Sequence, residues 1–246
     1  MDNLYKYRDD LARLVQEINL RKTKIAVPSF VSQELADAYQ TCRILEEYLW
    51  QYFQEDISLP QITEINQKID IILNRFKEEV LAGLSQEKAN FRQNVTQKTS
   101  DFKNIFEFSQ SENLYLSNMY TRFISENLGH KFENIAAISP KVFIPEIELG
   151  IKIKGVDLII YDRNLLWYTQ LKTKKDTLTG SQKDRTISEL ELHPNRIFAA
   201  ALDMGGSWTI SHKISQAKNI RLLSGSNFWS LIDLNYNMIL EKVALV

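Results

Sequence analysis

Apolar positions in the first half of the chain recur at helical spacing, whereas those in the second half gather in short, dense runs. Leu11, Leu14, Val15 and Ile18 keep the period of one helix face, and Leu35, Ala38, Cys42, Leu45, Leu49 and Tyr52 keep it in a second segment. Pro60 opens a third run. There Ile62, Ile65, Ile69, Ile72, Phe76 and Val80 form a long stripe that reads as core or as a dimer interface. "AVPSF" (26–30) and "EDISLP" (55–60) interrupt these runs, and the polar stretch 86–103 reads as an exposed helix or as a connection.

From about residue 111 the pattern changes. Ser111 is placed to cap a helix through "ENLYLSNMYTRFISENLG", with Gly129 near its end. Then "KVFIPEIELGIKI" (141–153), "VDLIIYD" (156–162) and "LLWYTQLK" (165–172), rich in Val, Ile, Leu and aromatics, predict three strands, the last two joined by a short "DRN" turn. "TGSQKDRTISEL" (179–190) predicts a capped helix, "NRIFAAALDM" (195–204) and "GSWTISH" (206–212) further strands, and "GSNFWSLIDL" (225–234) a closing helix. The expected fold is a mixed α/β (α+β) domain with a central sheet flanked by helices, over 106–246, behind an N-terminal helical domain over 1–105. Trp208 and Trp229 read as packing residues, and His193, next to Pro194, as a loop residue.

The bulk numbers narrow the function classes. A chain of 246 residues that is 44% hydrophobic and 25% charged is ordinary globular material with room for a sizeable core. A net charge of −1 argues against a general polycation, so any nucleic-acid partner needs a locally concentrated basic face. One cysteine leaves no intrachain disulfide framework, and histidines at 130, 193 and 212 have no metal-ligand spacing. "MDNLYKYRDD" lacks the basic start and apolar run of a leader, and no apolar run approaches spanning length. The expectation is a soluble, cytoplasmic protein.

Two of the expected strands carry polar groups where a half-buried sheet does not favour them: Asp157 in one, Gln170 and Lys172 in the next. Strand residues alternate faces, so Gln170 and Lys172 point the same way, with Tyr168 beside them. If the two strands are antiparallel neighbours, the three groups converge. A carboxylate and an amide carbonyl are hard oxygen ligands suited to Mg²⁺. A lysine beside the ion can help position or activate a water, or neutralise charge building on a phosphate. The basic, hydroxyl-rich exit "KTKKDTLTGSQKDR" follows directly. Lys174, Lys175, Ser181, Gln182, Lys183 and Arg185 are its candidate phosphate contacts, with Gln182 alternatively supporting the metal site.

This arrangement resembles the PD-(D/E)XK nuclease superfamily. "GVD" ending in Asp157 matches its first acid, and Gln170-Leu171-Lys172 matches its (D/E)-x-K element, with glutamine in place of the acid, a variant also seen in Mrr-like restriction nucleases. The likeness covers roughly 111–215, and the expected α-β-β-β-α-β order is that family's core. It departs from the pattern at Val156, where the family has proline, and at the neutral Gln170. The resemblance implies a restriction-endonuclease-like core, Mg²⁺ as cofactor and Asp157, Gln170 and Lys172 as catalytic residues. It also implies a further carboxylate, with Glu126 and Glu112 on the preceding helix as leading candidates, Glu148 and Glu146 behind, and Asn118 weaker as a ligand. The activity it implies is that of a type II restriction endonuclease. Such an enzyme acts as a homodimer on a palindromic duplex DNA site, with no nucleotide cofactor. "LLSGSNFWSLI" (222–232) also looks like the C-terminal part of such enzymes. Alternatives at this stage are an Mrr-like or repair-type nuclease of looser specificity, and a catalytically inactive DNA-binding protein on the same fold.

Overall fold

The computed structural model describes residues 3–55 and 58–245, so positions 56 and 57 of the expected "EDISLP" break lie outside the described residues. It is a mixed α/β structure with a five-stranded mixed sheet. The chain divides into two compact units, Met1–Gln61 with Ala136–Asn237, and Ile62–Ile135 with Met238–Val246. This division differs from the expected split at 105/106. The reason is packing: the first helices share a core with the sheet.

In the first unit, α1 (Leu11–Lys22) is capped by Asp10, whose side chain accepts the Arg13 N–H, and α2 (Ala36–Tyr52) follows the "AVPSF" break. Their apolar faces supply Leu14, Ile18, Cys42, Leu45 and Leu49 to one cluster with Phe143, Ile159, Leu166 and Tyr168 of the sheet. Burial of Cys42 pushes its thiol far above the ordinary range. In the second unit, α3 (Ile62–Asn90) bears the long isoleucine stripe, with Ile65, Ile69, Leu73, Phe76 and Val80 buried. A π-helical turn at Phe91–Val95 and α4 (Ile105–Ser109) lead to α5 (Glu112–Ala136). The α5 helix runs past Gly129 rather than ending there. Glycine is a weak stop inside an otherwise good helical run.

The sheet has the order β1-β2-β3-β4-β5: β1 (Val142–Phe143), β2 (Leu158–Asp162) and β3 (Leu165–Lys172) form an antiparallel meander, and β4 (Arg196–Ala200) and β5 (Ile220–Ser224) add in parallel. Between β2 and β3 the two-residue turn Arg163-Asn164 has φ of 50° and 59° at its two positions, the left-handed pair that suits a tight hairpin. The crossover from β3 to β4 is α7 (Gly180–Leu190), with a Thr179/Gln182 capping box. That from β4 to β5 carries α8 (His212–Ala217). Then α9 (Ser226–Leu231) seats Trp229, whose indole N–H donates to the Ala201 carbonyl at 2.7 Å, and α10 (Tyr236–Val243) closes the described chain.

Two expected strands are corrected. "KVFIPEIELGIKI" is a strand only at 142–143; Pro145 then starts the short helix α6 (Pro145–Leu149), which ends at Gly150 with φ of 66°. Proline presets the first helical turn and removes a ladder donor, and glycine takes the left-handed cap. "GSWTISH" is not a strand: Ser211 caps α8, accepting the Ile214 N–H, and the fifth strand is "IRLLS" instead. Trp208 packs edge-on against Phe198, 5.7 Å between centroids.

At one end of the β3 face lies a buried polar cluster. Tyr168 donates to Glu46 at 2.7 Å, and Arg43 bonds the same carboxylate oxygen at 2.8 Å. His193, 1% exposed, stacks on Tyr168 at 4.0 Å. Burial, helped by the Arg43 and Arg196 charges, holds the His193 imidazole down at about 3 instead of 6.5. In the unfolded chain His193 binds a proton as pH falls through 6.5, while the folded chain resists until about 3. Stability present above that window is therefore lost as pH falls through it, with a slope of up to about 1.4 kcal/mol per pH unit. Urea midpoints measured from pH 8 to pH 4 are expected to show this slope in the parent chain and a shallower one in His193→Gln; equal slopes contradict it.

Candidate functional site

The site grows from the hairpin register. Leu158 stands opposite Thr169 and Ile159 opposite Tyr168. Continued by one residue, the register sets Asp157 opposite Gln170, on the face that also carries Tyr168 and Lys172. The Asp157 backbone N–H donates to the Thr169 carbonyl at 3.0 Å, and its carboxylate Oδ2 accepts the Leu171 N–H at 2.7 Å. A carboxylate at the mouth of a strand thus closes the end of the ladder. Lys172 Nζ lies 3.7 Å from the same Oδ2, with both side chains about one quarter exposed. Asp157 and Lys172 thus meet, and the register puts Gln170 on the same face.

Gln170 is 7% exposed. Its Nε2 donates to Glu189 Oε2 at 3.4 Å, and its Oε1 has no hydrogen-bond partner among the described residues. A buried carbonyl left unpaired is costly. Other orphaned atoms, such as Arg43 Nε and His193 Nε2, sit in the closed cluster around Tyr168. Gln170 instead lines an open pocket of about 360 Å³, with Lys172, Thr177, Leu178, Gln182, Arg185, Thr186 and Glu189.

Glu189 is the residue that sequence reasoning missed. Its side chain is 3% exposed, and Arg185 Nε donates to its Oε1 at 2.7 Å. The signal was an acid among Thr186, Ile187 and Leu190, the buried positions of α7, where a solvated helix face does not place one. Gly155 is what lets Glu189 sit there: a Cβ at Gly155 meets Glu189 Cβ at 2.4 Å, and its φ of 81° is left-handed.

Among the described residues no three His, Cys, Asp or Glu side chains cluster to hold a metal ion. A hard divalent cation here would have to draw on oxygens other than a carboxylate cluster. The donor set fits one: the Asp157 carboxylate and the orphaned Gln170 Oε1 are the oxygen types that Mg²⁺ takes. Such an ion, when bound, supplies Lewis-acid and water-activating chemistry. Lys172 adds a positive charge beside it.

The other expected carboxylates have surroundings of their own. Glu126 and Glu112 belong to the second unit. Glu126 pairs with Arg122 at 2.7 Å, and Glu112 with Arg92 at 3.1 Å and Lys88 at 3.5 Å, the Arg92 contact holding its carboxyl below the usual range. Glu148, on α6 rather than a strand, lines a different pocket with Tyr5, Tyr48 and Tyr52, where burial raises its carboxyl. Glu146 faces Lys152 at 3.8 Å, and Asn118 lies on α5.

Of the expected phosphate contacts, Lys174 pairs with Asp176 at 3.3 Å and Lys175 with Asp203 at 3.0 Å. Each lysine lowers its partner acid. Ser181 and Lys183 lie in the first turns of α7, Gln182 is spent on the capping box, and Arg185 is tied to Glu189. No helix among the described residues is long and apolar enough to cross a membrane. Comparison with known proteins returns no match among family models, curated proteins or solved structures.

The two left-handed glycines are expected to separate strain from contact. Gly150 has φ of 66° with nothing near its Cβ direction, so Gly150→Ala is expected to cost roughly 1 kcal/mol. Gly155→Ala adds the collision with Glu189 and is expected to cost more than about 2 kcal/mol. Denaturant midpoints check the order; equal costs contradict the close approach of α7.

Proposed function

We propose that this chain is a Mg²⁺-dependent endonuclease that hydrolyses phosphodiester bonds in double-stranded DNA, a type II restriction enzyme built on a PD-(D/E)XK-like core and acting as a homodimer. The observation that carries the reading is that Asp157, Gln170 and Lys172 share one sheet face beside an open pocket, with a buried amide oxygen that no donor among the described residues meets. The element order supports it: a helix, an antiparallel meander, a crossover helix and a parallel strand, as the resemblance implies.

In this reading Asp157 and Gln170 hold the cation, and the Leu171 N–H fixes the Asp157 carboxylate. Lys172 stands where it stabilises charge that develops on a phosphate oxygen. Lys174, Lys175, Ser181 and Lys183 line the strand exit and the start of α7, where duplex phosphates are contacted once the lysine ion pairs exchange partners, while Arg185 stays paired with Glu189. The neutral Gln170 favours one rival, a DNA-binding protein that has lost catalysis.

Digestion of several unmethylated phage and plasmid DNAs with Mg²⁺ tests the proposal. Discrete fragments are expected, lost with EDTA and reduced at least about a hundredfold in Asp157→Ala and in Lys172→Ala. Smears in place of bands point to the looser, Mrr-like or repair-type nuclease. DNA binding without cleavage of any substrate overturns the enzymatic reading.

A further inference from the structure

A neutral glutamine at position 170 raises two problems for a cation ligand. It brings less charge than a carboxylate, and its amide has two ends, only one of which is an oxygen. The structure supplies an answer to both in Glu189. The carboxylate accepts from Gln170 Nε2 at 3.4 Å, so the opposite amide orientation would set oxygen against oxygen. The Gln170 carbonyl is thereby turned away from Glu189 and left, buried, without a donor among the described residues. An amide whose N–H groups face an anion is polarised toward its carbonyl, which strengthens that oxygen as a donor atom. Glu189 is itself stabilised, although only 3% exposed, because its other oxygen takes the Arg185 bond at 2.7 Å.

We infer that Glu189 is a positioning residue for the cation site, which through the Gln170 side chain orients and polarises the oxygen that meets the ion. The inference rests on the proposed reading of Asp157 and Gln170 as cation ligands. It extends that reading to a helix outside the strand motif. The charge missing from the β3 position is present one layer out, on α7, where Gly155 leaves room for it. It also gives Arg185 a place in the site as the counter-ion of Glu189.

The test is a Mn²⁺ titration of the full chain, free Mn²⁺ being followed by its electron paramagnetic resonance signal, with no DNA present. The parent chain is expected to bind Mn²⁺ and Asp157→Asn to lose that binding. Glu189→Gln keeps the shape but loses the charge and the orientational lock, and is expected to bind about tenfold more weakly or worse. The double variant Gln170→Glu with Glu189→Gln carries a carboxylate with two equivalent oxygens and needs no lock, so affinity is expected to return to the parent level. Unchanged affinity in Glu189→Gln overturns the inference and leaves the nuclease reading standing. A loss that the double variant does not restore overturns it too, because Glu189 then acts on folding alone. No Mn²⁺ binding by the parent, or binding indifferent to Asp157→Asn, overturns the cation site itself. DNA cleavage assayed in parallel separates that failure from a failure of the nuclease reading.

Discussion

Strand β3 is hydrogen-bonded along both edges, antiparallel to β2 and parallel to β4. A strand held on both sides has no register freedom, and a slip of one residue turns every side chain to the other face. Tyr168, Gln170 and Lys172 are therefore committed to one face together, and Ile159 and Asp157 of the neighbouring strand are committed with them. The shared face of Asp157, Gln170 and Lys172 follows from that pairing.

The same face is treated differently at its two ends. Toward Tyr168, helices α1 and α2 close over the sheet, and Glu46, Arg43 and His193 meet the tyrosine in a buried cluster. Toward Lys172, the face opens between the strand exit and α7, and the polar groups line a pocket. Burying ionisable groups is tolerable at the first end because they are paired or held neutral. Both ends keep buried polar atoms without a partner among the described residues, but only at the second end does the residue that carries one, Gln170, line an open pocket. That inequality is the physical reason to look for a ligand at one end and not the other.

Much of this was legible in the sequence. Helical periods placed α1, α2 and α3, the Ser111 cap placed the start of α5, the dense apolar runs placed β2, β3 and β4, and face alternation put Gln170 and Lys172 on one side of the hairpin with Asp157. What was not legible depended on single residues and on three-dimensional approach. Pro145 and Gly150 turned an apolar run into α6, which moved Glu148 away from the expected strand. In β5, Ile220–Ser224, exposed Arg221 interrupts the apolar run that marks the other parallel strand. The first two helices joined the sheet because the Tyr168 face needed covering, a demand that no local pattern reveals. Glu189 reaches Gln170 only because Gly155 lacks a side chain, so spacing along the chain carries no trace of the contact.

The proposed function turns on a divalent cation bound between Asp157 and Gln170. Anomalous diffraction from crystals soaked in Mn²⁺ tests it most directly. A peak is expected within coordination distance, about 2.1 Å, of both the Asp157 carboxylate and Gln170 Oε1. A map with no peak there, or with Gln170 turned so that its nitrogen faces Asp157, contradicts it.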